Sequence, residues 1–170
     1  MILWIIGLSG SGKTTIGREV YRKIKNKNPA TILIDGDEIR KIFKHDQNSN
    51  SYNLEGRRLN SERIFQLCYW LDRQEIDVVC CILSIFPDHR KRNREIFSSY
   101  KEVYLHASFD TLRSRRPLYD DALSEKINNV VGVDIPFPAP SDPDMSFETD
   151  NKNVTSNMIS EKIILEIFKK

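Results

Sequence analysis

Residues 7–14 read Gly-Leu-Ser-Gly-Ser-Gly-Lys-Thr, a complete G-x-x-x-x-G-K-[ST] pattern set directly after the apolar run Ile2-Leu3-Trp4-Ile5-Ile6. Small residues at Gly7, Ser9, Gly10, Ser11 and Gly12 let a backbone turn its N–H groups toward an anion. A helix beginning beside Gly12 presents its positive end to the same charge. Lys13 is placed to reach the β- and γ-phosphates, Thr14 offers a hydroxyl to Mg²⁺, and Thr15 falls in the first helical turn. The segment predicts a nucleoside triphosphate site; an ordinary Gly/Ser turn needs neither the lysine nor the flanking strand and helix.

Two further sets of residues could complete a phosphoryl transfer. Asp35-Gly36-Asp37-Glu38-Ile39-Arg40 follows the second apolar run. A kinase needs one carboxylate to orient or accept the proton of the attacking hydroxyl, and can use another beside the metal. Asp37 is the candidate base and Asp35 the metal-side carboxylate. On a purely structural reading the Asp-Gly pair is a turn and Asp37 caps the next helix. Beyond it, Arg57, Asn60 and Arg63 recur at three-residue steps, preceded by Tyr52. On a helix that spacing lines one face with donors for phosphate or sulfonate oxygens, although a solvated charged face has the same pattern.

The elements that must position these residues follow from hydrophobic patterning. Strand-like runs fall at Ile2–Ile6, Thr31–Ile34, Val78–Leu83, Val103–Leu105 and, more weakly, Met145–Phe147. Helical patterns cover Lys13–Lys27, Asp37–Lys44, Arg57–Arg73, His89–Tyr100, Phe109–Arg115 and Val154–Phe168, with Phe65, Leu67 and Trp70 expected in the core. Such alternation predicts an α/β fold, a parallel sheet of about five strands flanked by helices. Ligands of such sheets gather beyond the carboxyl ends of the strands, which brings Asp35–Arg40, Ser84 and the segment after Leu105 around residues 7–14. Pro136–Pro143 reads as a rigid connector rather than a domain boundary, so one domain is expected over residues 1–170.

Composition excludes several classes. With 26 basic and 24 acidic side chains the formal charge is only +2, which gives no bulk case for nucleic acid. No apolar run approaches the length that spans a bilayer, and no charged leader precedes the first strand, so a cytoplasmic protein without a membrane partner is expected. Cys68, Cys80 and Cys81 show neither CxxC nor Cys/His spacing and read as reduced packing residues. His45, His89 and His106 are scattered without partners at metal-ligand spacing.

The chain resembles the adenylylsulfate kinases over nearly its whole length. Their GLSGSGK[ST] loop is matched by Gly7 to Thr14, their DGDxxR by Asp35, Asp37 and Arg40, and their FSxxDRxxNxRR by Tyr52, Arg57, Asn60 and Arg63. Their FISP strand end corresponds to Ile82-Leu83-Ser84-Ile85. Their RDPxGLY segment resembles Arg115-Arg116-Pro117-Leu118-Tyr119, and their FTGIDDPYEPP resembles residues 130–137. The resemblance implies a P-loop NTPase kinase fold with a small lid at about residues 116–140. It also implies ATP- and Mg²⁺-dependent phosphorylation of the ribose 3′-hydroxyl of a small-molecule nucleotide acceptor. In that scheme Lys13, Asp35 and Asp37 are catalytic and Thr14 and Asp35 serve the metal. The acceptor lies against Asp37, Arg40, Tyr52, Arg57, Asn60, Leu83, Ser84 and Val130, with Tyr52 stacked on its base, and Arg115 borders the ATP adenine.

The chain also departs from the pattern around the acceptor. The family clamps its adenine between two phenylalanines, whose positions are held here by Tyr52 and Val130; the start of the lid is two residues shorter; Glu38 replaces an asparagine and Gly56 an aspartate. A weakened aromatic clamp suits a smaller base. Relatives of the family that phosphorylate cytidine diphosphoramidate in capsule phosphoramidate synthesis fit this pattern, and that acceptor is the favoured expectation. Adenylylsulfate is the alternative, and a non-catalytic ATP-binding module or a kinase of free sugars or shikimate-like metabolites stands in other classes. The oligomeric state stays open, with a homodimer among the alternatives.

Overall fold

The computed structural model describes every residue except 48, 152, 169 and 170. Five strands, β1 (Ile2–Ile6), β2 (Thr31–Asp35), β3 (Asp77–Ile82), β4 (Tyr100–His106) and β5 (Met145–Glu148), form one sheet in the order β2-β3-β1-β4-β5. Every pairing is parallel, with Ile2 opposite Val78 on one side and Tyr100 on the other. The helices are α1 (Lys13–Lys27), α2 (Gly36–Ile42), α3 (Leu54–Asp72), α4 (Pro87–Ile96), α5 (Phe109–Arg115), α6 (Leu118–Leu123) and α7 (Ser156–Ile167). Two short 3-10 turns, His45–Gln47 and Ser49–Tyr52, lead into α3.

The central strand β1 is apolar at every position because both of its faces are covered. Ile2, Trp4 and Ile6 pack with Ile64, Phe65, Cys68 and Leu71 of α3, while Leu3 and Ile5 join Ile16, Val20 and Ile24 of α1 and Ile159 and Ile163 of α7. Alternate residues of β3 divide the same way, Val78, Cys80 and Ile82 against Val79 and Cys81. All three cysteines are free and buried, and burial pushes the Cys81 thiol up to about 12, so packing is what they contribute.

Several expectations need correction. Tyr100 opens β4 rather than closing α4, because Phe97 turns extended and the Asp72 carboxylate accepts from the Ser98 N–H (2.9 Å) and hydroxyl (2.7 Å). Trp70 is 61% exposed on the outer side of α3 and is not core, whereas Phe65 is buried. Helix α3 begins at Leu54, three residues before the expected start, where the Asn53 side chain accepts from Gly56 N–H at 2.8 Å. Gly56 fits because a Cβ there would stand 2.3 Å from the Asn50 carbonyl oxygen. Helix α6, absent from the sequence reading, lies inside the segment 116–140.

Candidate active site

A cavity of about 1020 Å³ opens beyond the carboxyl ends of β1, β2 and β3, lined on one wall by the residues of the glycine-rich loop and on the other by α2, α3 and the segment 116–140. In the loop, Gly10 and Gly12 take left-handed φ values of 84° and 92°, and the Ser11 N–H donates to the Leu8 carbonyl at 3.1 Å. Ser9, Gly10, Gly12, Lys13, Thr14 and Thr15 border the cavity. Gly7 and Ser11 do not: Gly7 sits where a Cβ would meet the Leu105 carbonyl oxygen at 2.2 Å, and Ser11 is fully buried. Both help set the shape of the loop.

Lys13 donates through Nζ to the Leu8 carbonyl at 2.8 Å. Desolvation draws its ammonium down to about 8, while Asp37 and Asp35 pull in the opposite direction. Thr14 Oγ1 donates to Asp35 Oδ2 at 2.8 Å, and Asp35 Oδ1 accepts from the Asp37 N–H at 2.9 Å. Asp35, not Asp37, is therefore the cap of α2, and the Asp-Gly pair passes directly from strand to helix rather than forming a turn. That leaves the Asp37 side chain exposed on the cavity wall. The Thr14–Asp35 pair is a hard-oxygen donor set of the kind that holds Mg²⁺ with few protein ligands and several waters or phosphates. Among the described residues no group of three or more His, Cys, Asp or Glu side chains could hold a metal unaided.

Opposite the loop, Arg40 is buried and Arg57 partly buried. Arg40 Nη1 donates to the Ser51 carbonyl, and its guanidinium lies 4.7 Å from the centroid of the Tyr52 ring. Arg57 donates through Nε to the Tyr52 carbonyl (2.6 Å) and through Nη2 to the Asn129 carbonyl (2.7 Å). Burial lowers the pKa of both arginines, and for Arg57 the like charge of Arg40 adds to it. Neither makes an ion pair among the described residues, so two cations stand together with an unmet demand for an anion. Asn60 is anchored through Nδ2 to the Gly36 carbonyl at 3.2 Å, while its Oδ1 is buried without a partner.

Not every expected residue converges here. Arg63 turns away and places its guanidinium 4.9 Å from the Phe43 ring centroid, so only Arg57 and Asn60 of the three-residue series reach the cavity. Leu83 lines the cavity, but Ser84 borders only a smaller recess beside it; the Ser84 hydroxyl accepts from Trp4 Nε1 at 3.0 Å. Val130 touches the cavity, yet its side chain is buried with Leu112, Tyr119 and Ala122. Arg115 does border the cavity, held by the carbonyls of Gly10 (3.1 Å) and Thr149 (2.7 Å). Arg116, Asn128, Asn129 and Thr149 also line it and escaped the sequence reading. The Arg115-Arg116 pair was a visible signal of charge near the loop; Asn129 is brought in by tertiary contact alone.

His89 is a packing residue, its Nδ1 2.9 Å from the Ser61 hydroxyl. No helix among the described residues is long and apolar enough to cross a membrane.

A parallel five-stranded sheet with a glycine-rich loop after β1, a carboxylate pair after β2 and a cationic wall facing both defines a P-loop kinase. More narrowly, the chain belongs to the adenylylsulphate kinase family, whose model matches residues 1–148. It is 36% identical over 170 residues to a cytidine diphosphoramidate kinase of Campylobacter jejuni, covering 99% of this chain and 95% of that protein. It is 32% identical over 154 residues to an adenylyl-sulfate kinase of Halothermothrix orenii, covering 89% and 82%. Its fold matches that of a Mycobacterium tuberculosis APS kinase solved with AMPPNP and APS, with a TM-score of 0.85 over 99% of this chain and 97% of that one at 23% identity.

Proposed function

We propose that the protein transfers the γ-phosphoryl group of ATP to the ribose 3′-hydroxyl of an activated cytidine nucleotide, cytidine diphosphoramidate. The observation that carries the reading is the pair Arg40 and Arg57, unpaired by carboxylates and packed beneath Tyr52, facing Asp37 and the phosphate loop across one cavity. The acceptor's anionic phosphate groups satisfy the two guanidinium groups, and Tyr52 offers its ring to the base. Val130 withdraws into the apolar cluster above α6 and leaves one aromatic wall, which matches a pyrimidine better than a purine clamped on both faces. The greater likeness to the cytidine diphosphoramidate kinase, 36% against 32%, points the same way.

In this mechanism the loop amides and Lys13 hold the phosphates. Thr14 and Asp35 would hold Mg²⁺, which would supply charge neutralisation to the triphosphate. Asp37 accepts the proton of the 3′-hydroxyl as the acceptor oxygen forms its bond to Pγ and the bond from Pγ to the β-phosphate oxygen breaks, releasing ADP. Residues 116–140 act as the lid of a single kinase domain, and their closure excludes the water that would otherwise hydrolyse ATP. The product belongs to capsule modification, carried out in the cytoplasm.

Adenylylsulfate is the second reading, favoured by the family model and by a cavity roomy enough for either nucleotide. An ADP-release assay with Mg²⁺ and ATP, offering each acceptor separately and weighing the products for one added phosphate, decides. Turnover confined to adenylylsulfate would overturn the cytidine reading.

A further inference from the structure

We propose that Arg116 is a further catalytic residue, the cation that the lid contributes to the γ-phosphoryl group in flight. The inference rests on the kinase reading but not on which nucleotide accepts the phosphate.

Arg116 lies between two tethers. On one side Arg115 donates to the Gly10 carbonyl at 3.1 Å; on the other, the buried Tyr119 donates its hydroxyl to the Ser9 carbonyl at 2.8 Å. The turn carrying Arg116 is further set by its own N–H to the Arg113 carbonyl (3.2 Å) and by the Tyr119 N–H to its carbonyl (3.3 Å). Its backbone is thus held against the phosphate loop. Its Cγ comes within 3.1 Å of the place a Cβ on Gly10 would occupy, so glycine at that position is also what lets this side chain approach.

The guanidinium itself is free. Arg113 is paired with Asp120 at 2.6 Å and Arg115 is spent on the Gly10 and Thr149 carbonyls, whereas Arg116 makes no side-chain hydrogen bond or ion pair among the described residues. It borders the cavity beside Lys13, whose ammonium feels it as a like charge. Two cations flanking one loop repel until an anion stands between them. The γ-phosphoryl of a nucleotide held by the loop is such an anion, its charge spread over its equatorial oxygens as the bond to ADP breaks and the bond to the acceptor forms. A donor whose backbone is held against the loop before reaction begins leaves only its side chain to settle on that charge.

The test compares the wild type with R116A and R116K. The readouts are turnover, MgADP affinity and affinity of the MgADP–aluminium fluoride complex, which imitates the phosphoryl in flight and needs no acceptor. Expected for R116A is a kcat loss of about 10²–10³-fold, as for removal of one preorganised donor. Fluoroaluminate trapping should weaken in parallel, MgADP affinity should stay within about threefold, and R116K should recover part of the loss. The melting temperature should not move, since the side chain is exposed and unpartnered. A kcat within about threefold of wild type, or MgADP affinity falling as far as trapping, would overturn the assignment, the latter making Arg116 an ordinary nucleotide-binding residue. If the wild type turns over neither nucleotide, the acceptor reading fails, and the trapping comparison still decides Arg116.

Discussion

The Thr14 hydroxyl and the Asp35 carboxylate meet at 2.8 Å, joining the first turn of α1 to the end of β2 at the floor of the cavity. The other Asp35 oxygen caps α2. One carboxylate thus serves local folding and the proposed metal site together, and substitutions separate the two. Asp35→Ala should lower stability by about 1 kcal/mol through the lost cap and also abolish turnover. Asp35→Asn keeps a capping oxygen, so its melting curve should stay near wild type while kcat still collapses. Calorimetry beside an activity assay checks this; an active Asn variant would remove Asp35 from the metal site.

Asp37 carries no structural duty on its side chain, because the cap belongs to Asp35 and the Asp37 carboxylate stands exposed in the cavity. Asp37→Asn should therefore cost about 10²–10⁴-fold in kcat with little change in stability or in the KM for ATP. A variant retaining more than a tenth of the activity would disqualify it as the base.

Tyr52 is backed by Arg40 on one face of its ring. Tyr52→Ala should raise the acceptor KM by about 5- to 150-fold, the equivalent of one base–aromatic stack, and leave ATP affinity alone. Steady-state kinetics with each substrate varied in turn would reveal unchanged acceptor kinetics if no stacking occurs.

Lys13 sets a pH signature of two opposite signs. Its ammonium is drawn from the ordinary 10.5 down to about 8 by desolvation. Above about pH 8 the free enzyme loses the charge that ATP needs, so ATP affinity should weaken by up to about tenfold per pH unit. The unfolded chain holds that proton longer than the folded one between about 8 and 10.5, so the stability of the nucleotide-free protein at this group rises across the same window. Titration calorimetry and denaturant melts on wild type and Lys13→Met should show both trends in the wild type alone. A flat ATP affinity from pH 7 to 9 would contradict the assignment.

What the sequence made legible was mostly local. The loop at residues 7–14 is contiguous, and its shape follows from glycines whose neighbours are known, so its place after β1 was readable without tertiary information. The all-apolar β1 and the alternating strand and helix patterns gave the sheet for the same reason. The misreadings lie where distant groups decide. Asp37 reads as the cap of the next helix, yet Asp35, whose other carboxylate oxygen meets the distant Thr14 hydroxyl, takes that place. Arg63 shares the period of Arg57 and Asn60 but meets Phe43, just past α2, first, and Trp70 sits on an exposed stretch of α3. Tyr100 reads as helical by spacing, yet backbone pairing with Ile2 makes it strand. Asn129 reaches Arg57 across 72 positions in sequence, a closure that no window of residues could show.

The tethers from Tyr119 and Arg115 to the Ser9 and Gly10 carbonyls give the molecule a fulcrum. In the proposed lid the near end is held to the phosphate loop, which places its swing farther out, past α6, with the arm held again where Asp134 accepts from the Asn129 and Val130 N–H groups. A fluorophore at the exposed Ser124 should respond to ATP before any acceptor arrives, and a response to acceptor alone would argue for a different pivot. On that proposal, loading the donor nucleotide sets the arm, and the order in which substrates enter follows from the lever rather than from either binding pocket.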